Sequence, residues 1–309
     1  VRGAAPEPLT GITLVARGSS DNAAVYGRYL LEAATGKPIS LAAPSLHTLY
    51  DVDVDYSGQL VIAVSQSGAT PEIVRTLEAL QDAGGTGLAI TNDPASPLAY
   101  AAGQTLDLDV GVERAVPATK TVTGQLAAFA IIAAALGRPP FTEGQLIAVP
   151  ESVQAVLDDP EPATAAAQEL ACASQLIVVA RGYLFAAALE TALKIKETCS
   201  LLADGYSAAD LRHGPIAAVT RSLPVVALCA DGPAHADIAS LVAEMRARQA
   251  NVVVVGDGGD ADVSLPGDVP EPLAPIVAVV RGQQLAHELA TALGYDPDRP
   301  PGLTKVTAT

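Results

Sequence analysis

The chain has 309 residues, half of them hydrophobic, with no Trp, three Phe and a formal net charge of −16. That length buries a substantial core and suits two domains. So acidic a surface repels nucleic acid and anionic membrane, and any anionic ligand needs local donors.

With few large aromatics, the core must be built from Ala, Val, Leu and Ile, a composition suited to parallel strands covered by Ala-rich helices. The elements alternate accordingly. Ile12–Ala16 reads as a strand, 21–34 as a helix, Leu60–Val64 as a strand, 70–83 as a helix and Leu88–Thr91 as a strand; Lys120–Leu136 reads as a long apolar helix. The stretch 137–162 contains five prolines and reads as a linker with a short helix near 152–157. The pattern then restarts: strand 176–180, helix 185–199, strand 224–230, helix 234–250, strand 251–256 and a closing helix 273–293. Val15-Ala16-Arg17-Gly18 and Val179-Ala180-Arg181-Gly182 stand at matching places in the two halves, which reads as a duplication. The expected boundaries are 1–138 for the first domain, 139–165 for the linker and 166–309 for the second domain.

Cys172, Cys199 and Cys229 are widely spaced in apolar stretches and read as buried, reduced thiols. With no CxxC and four His, no metal site is expected. The longest apolar segment, Leu126–Leu136, is too short to span a bilayer. No signal-peptide pattern is read, so the expected location is cytoplasmic; residue 1 is Val rather than Met, so the natural N-terminus is expected upstream.

Ligands of open parallel sheets bind beyond the carboxyl ends of the strands. At one such end lies Ser65-Gln66-Ser67-Gly68-Ala69-Thr70, followed by Pro71. Gly68 permits a tight turn, Pro71 suits a first helical position, and the hydroxyls of Ser65, Ser67 and Thr70 can converge with helix-start N–H groups on one anion. The plainer alternative is that Thr70 caps the helix and the serines serve the turn. In the second half, Glu190, Lys194 and Glu197 fall at i, i+4 and i+7 on one helix face, either as an exposed salt-bridge stripe or as an acid–base cluster. His213 follows in Leu211-Arg212-His213-Gly214-Pro215 and on its own reads as an ordinary histidine.

Taken together, ARGSSDNAA at 16–24, SQSGATPE at 65–72, VPATKT at 116–121, ALETALKIKE at 188–197, LRHGP at 211–215 and DPDRPPGLTKVT at 296–307 resemble the two-domain SIS sugar-phosphate isomerases. The resemblance is to type II glucosamine-6-phosphate deaminases and, more distantly, to the isomerase half of glutamine–fructose-6-phosphate aminotransferase. It implies an α/β fold of two tandem SIS domains, each a flavodoxin-like parallel sheet flanked by helices. It implies phosphate contacts at Ser20, Ser65, Gln66, Ser67 and Thr70, and a sugar-lining segment at Val116 and Ala118. Glu197 matches the base that moves a proton between C1 and C2, supported by Glu190 and Lys194. His213 matches the ring-opening histidine, which in the family's homodimers reaches in from the partner subunit. Lys305 matches a lysine that closes over the sugar. No cofactor or metal is implied.

Two positions depart from the family pattern: Ala69, where a charged residue is usual, and Pro117, where Ala is usual. The chain also starts at its first strand, without the helical segment usual there, and nothing in it resembles a glutaminase domain. The expected function is therefore glucosamine-6-phosphate deaminase/isomerase. The alternatives are an N-acetylhexosamine-6-phosphate dehydratase/lyase, in which C2 proton loss drives β-elimination, and a non-catalytic sugar-phosphate sensor.

Overall fold

A computed structural model describes residues 2–50 and 52–305. Two compact units emerge. One comprises the chain up to Glu113, Lys120–Pro140 and the described residues from Thr304; the other comprises Arg114–Thr119 and Phe141–Leu303.

In the first unit the elements are β1 (Gly11–Val15), α1 (Ser19–Thr35), β2 (Ile39–Leu41), α2 (Pro44–Thr48), β3 (Gln59–Val64), α3 (Pro71–Asp82), β4 (Thr86–Thr91), α4 (Pro97–Ala102), β5 (Thr105–Asp107) and α5 (Lys120–Leu136). All five strands are parallel, in the order β2-β1-β3-β4-β5. The residues Leu60 to Val64 are all buried, as a central strand covered on both faces requires. Val61 and Ala63 pack with Ile73, Leu77 and Leu80 of α3 and Leu98 of α4. On the other side α1 and α5 pack together. Their approach is set at Gly27, where a Cβ would sit 2.6 Å from the Phe129 ring.

The second unit holds α6 (Glu143–Asp158), α7 (Glu161–Leu170), β6 (Gln175–Ala180), α8 (Phe185–Cys199), β7 (Leu202–Ser207), α9 (Ala208–Arg212), β8 (Val225–Leu228), α10 (His235–Ala247), β9 (Val252–Gly256), β10 (Val263–Ser264) and α11 (Ala274–Ala292). Its parallel sheet runs β10-β9-β8-β6-β7. Read from the other edge, β7-β6-β8-β9-β10 repeats the first sheet strand for strand. Each Val-Ala-Arg-Gly tetrapeptide leaves the first strand of its unit, as the duplication requires. The ion pairs repeat as well. Arg17 pairs with Glu72 in the first turn of α3, and Arg181 with Asp237 in the first turn of α10.

Two sequence expectations are corrected. The proline-rich stretch is largely helical, because Thr142 and Gln145 form a reciprocal capping box that starts α6, and Pro150 sits on its exposed side. Buried Arg281 of α11 ties the end of that region down by donating to the Asp159 carbonyl at 2.6 Å, while Gln284 donates to the Val156 carbonyl at 2.8 Å. Of the cysteines, Cys199 and Cys229 are buried but Cys172 is exposed, in the turn that follows α7. No helix among the described residues is long and apolar enough to cross a membrane.

Replacing Gly27 by Val should overpack the α1–α5 contact and lower the unfolding free energy by about 1–3 kcal/mol. Urea unfolding of the purified chain measures this; an unchanged midpoint would show that the helices are free to separate.

Candidate functional site

The first cluster lies where the order of the first sheet reverses, between β1 and β3, the place at which open α/β sheets bind ligands. β3 ends at Val64. The Ser65 N–H donates to the Ile90 carbonyl at 3.1 Å, and the Gln66 carbonyl accepts from the Asn92 N–H at 3.1 Å, which ties the turn to the end of β4. Gly68 has φ 58°, and a Cβ there would collide with the Ser96 side chain, so the turn is both left-handed and tightly backed. Ser67 Oγ accepts from the Ala69 N–H at 3.2 Å. Thr70 is the N-cap of α3, but its side chain makes no capping hydrogen bond. The plain reading of Thr70 as a side-chain cap is thus not realised, whereas Ser67 does serve the turn. Ser65 is buried, whereas Gln66, Ser67 and Thr70 are half-buried around the turn.

From the neighbouring strand, Ser20 stands in the first turn of α1, 8 % exposed. Its Oγ accepts from Gln125 Nε2 of α5 at 3.0 Å. Sequence reasoning missed Gln125. Its signal was a lone amide in the apolar stretch of α5, which nothing in the local periodicity explains. Asp21, beside Ser20, has its carboxyl pushed up by burial against the opposing pull of Arg17.

The corresponding turn of the second unit is built differently. Cys229 N–H donates to the Val255 carbonyl at 2.9 Å, the counterpart of the Ser65–Ile90 bond, so Cys229-Ala230-Asp231-Gly232-Pro233-Ala234 aligns with Ser65–Thr70. Every side-chain hydroxyl of the first turn is gone, and Pro233 removes an N–H. The buried Glu271 carboxylate fills the space, and the Ala234 N–H at the start of α10 hydrogen-bonds it. Burial pushes this carboxyl up, the Ala234 N–H opposes that, and Asp231 adds to it.

The second cluster is on α8. Glu190 and Lys194 are 1 % and 2 % exposed, so the salt-bridge stripe allowed by the spacing is not on the surface. Lys194 Nζ lies 3.4 Å from Glu190 Oε1 and is hydrogen-bonded to Glu197 Oε2. Burial works against the Lys194 charge, but the two carboxylates outweigh it and hold its pKa above the ordinary lysine value. The Glu197 side chain keeps 23 % of its exposure and is the member of the trio open to a ligand.

His213 is exposed on a different element, at the end of α9. Arg212 beside it pairs with Asp237 and Glu244 of α10, Asp237 also pairs with Arg181 and Glu244 with Arg248, so this corner is held by a five-residue network. Val116 and Ala118 are half-buried in the 114–119 segment, which is counted with the second unit. The Val116 N–H donates to the Asp298 carbonyl at 2.9 Å, and Gln283 Nε2 donates to the Thr119 carbonyl at 3.2 Å. Lys305 is half-buried in the segment from Thr304, which is counted with the first unit rather than the second. The expected motif at 296–307 runs past it to Val306 and Thr307, which lie outside the described residues.

A hydroxyl-lined turn at the switch point of one parallel sheet and a largely buried lysine–carboxylate trio in a duplicate of that unit define a duplicated α/β protein. The SIS domain family pattern matches residues 11–135 and 169–266, and the chain belongs to that family. It is 34 % identical over 302 residues to the glutamine–fructose-6-phosphate aminotransferase of Methanothermobacter thermautotrophicus, covering 95 % of this chain and 51 % of that protein. The chain thus spans about half the length of the curated relatives it matches. A candidate phosphosugar isomerase from Silicibacter pomeroyi is 31 % identical, with a TM-score of 0.85 over 94 % of this chain and 89 % of that one. The glucosamine-6-phosphate deaminase of Thermotoga maritima shares the fold, at 22 % identity and a TM-score of 0.81, over 97 % of this chain and 91 % of that one.

Replacing Lys194 by Met should cost about 3–5 kcal/mol of stability, because two carboxylates, one of them fully buried, lose their counterion. The sign of the pH effect follows from a folded pKa above the unfolded one. The Lys194 contribution is complete below the ordinary lysine range and is lost as pH rises through the folded value. The gap between wild type and K194M in urea unfolding should therefore be full at pH 8 and shrink above pH ~10.4; a gap independent of pH would contradict the charged pair.

Proposed function

We propose that the chain is an amino-sugar-phosphate isomerase of the SIS family that converts glucosamine 6-phosphate to fructose 6-phosphate and ammonia. The observation that carries this reading is the α8 trio: a partly open carboxylate, Glu197, bonded to a buried ammonium that Glu190 holds in place. Moving hydrogen between adjacent carbons of an open-chain sugar requires a positioned base, and a helix supplies one rigidly. Lys194 keeps its charge in this setting and can stabilise negative charge that develops on the enediolate oxygens.

The remaining roles follow the resemblance. Ser20, Ser65, Gln66, Ser67 and Thr70 bind the phosphate, and Val116 and Ala118 line the sugar. Neutral hydroxyls and the start of α3 suit a dianion on a chain whose overall charge is −16. His213 opens the sugar ring and acts from a second copy of the chain in a homodimer; its exposure suits that task. Lys305 closes over the bound sugar. The domains divide as 1–138 and 166–309 around the helical connection.

Purified protein with glucosamine 6-phosphate should release ammonia and fructose 6-phosphate in equal amounts. Glu197→Gln should lower kcat by about 10²–10⁴-fold with little change in KM. If neither product forms, deamination is refuted. An ultraviolet-absorbing enone from N-acetylglucosamine 6-phosphate would instead identify a lyase.

A further inference from the structure

Gln125 is a buried polar side chain that none of the roles above uses. It lies on α5 with no exposed surface, among apolar neighbours that include Leu126, Ala128 and Phe129. An amide in such a place needs a reason, since burying it without full pairing costs free energy. Only half of it is paired. Nε2 donates to Ser20 Oγ at 3.0 Å, whereas Oε1 has no hydrogen-bond partner among the described residues.

The direction of that bond matters. A serine hydroxyl has one hydrogen and two acceptor lone pairs. An amide nitrogen can only donate, so it occupies a lone pair of Ser20 and leaves the hydrogen free. With the amide reversed, Oε1 would take that hydrogen, and Ser20 would have nothing to give an anion. The arrangement leaves an amide acceptor unpaired and keeps the Ser20 donor available. Ser20 sits in the first turn of α1, two residues after Gly18, at the switch point shared with the Ser65–Thr70 turn.

We infer that Gln125 is a positioning residue for phosphate binding. It fixes Ser20 Oγ as a donor to the substrate phosphate and does not touch the ligand itself. The inference rests on the reading of Ser20 and the Ser65–Thr70 turn as the phosphate site. A phosphate is bound alike in ground and transition states, so Gln125 affects KM and leaves kcat in place.

The test is a double-mutant cycle on fructose 6-phosphate affinity, measured by calorimetry on wild type, Ser20→Ala, Gln125→Leu and the double variant. Thermal unfolding of each protein is recorded, and Gln125→Met replaces the Leu variant if that one does not fold. Each single change should weaken binding about tenfold, the size of one hydrogen bond to a charged group. The double variant should bind no worse than Ser20→Ala alone, because Gln125 acts only through that hydroxyl. A further tenfold loss in the double variant would overturn the inference, as would Gln125→Leu binding like wild type. A wild type that binds no hexose 6-phosphate overturns the phosphate site together with this inference; a wild type that binds, with additive losses, overturns this inference alone.

Discussion

The buried Lys194 ammonium between the carboxylates of Glu190 and Glu197 is the constraint on which the second unit is built. The two fully buried charges, Glu190 and Lys194, cost several kcal/mol each to take from water before pairing recovers part of it. An apolar trio of the same volume would serve stability as well or better. Charge of this kind persists when α8 is held without freedom, and it is. α8 packs on β7 and on α11, which it meets at Gly282, where a Cβ would strike the Thr191 side chain. The geometry leaves Glu190 sealed and Glu197 partly open. Two identical side chains on one helix face thereby stand in different surroundings, one a sealed counterion of Lys194 and the other a counterion that reaches solvent.

The duplicated plan carries different side chains in its two copies. Both sheets have the same strand order, and both keep an Arg after the first strand, paired with an acid on the helix after the third. What differs is the lining. Where the first unit has Ser65, Gln66, Ser67 and Thr70, the second has Cys229, Ala230, Asp231 and Ala234, with Glu271 supplying an internal carboxylate at the helix start. The helix after the first strand diverges in the opposite sense. α1 offers Ser20, whereas α8 offers the acid–base trio. Hydroxyl side chains line the turn of one copy, and a lysine–carboxylate trio stands on the helix of the other.

The central strands were legible in the sequence because burial on both faces leaves unbroken apolar runs such as Leu60–Val64. The strands that escaped notice, β2, β5, β7 and β10, are the four sheet edges: partly exposed and without such runs, and all but β7 are also short. Counting prolines misjudged 137–162, because the Thr142–Gln145 capping box starts α6 and the tertiary bonds from Arg281 and Gln284 hold its far end despite Pro150. The spacing of Glu190, Lys194 and Glu197 placed them on one face. It could not say which way that face pointed, since an i, i+4 charge pattern is the same on a surface and in a core. Gln125 escaped because its partner, Ser20, lies 105 residues away.

The central claim is that the α8 carboxylate moves a proton at C1 and C2 of a hexose 6-phosphate. Fructose 6-phosphate incubated with the protein in D2O and followed by proton NMR tests this without reference to ammonia or to the net direction of reaction. Loss of one C1 hydrogen signal with wild type, and its retention with Glu197→Gln, is the expected result. Exchange at the same rate in both proteins would remove Glu197 from the role of base, and no exchange in either would contradict proton transfer altogether.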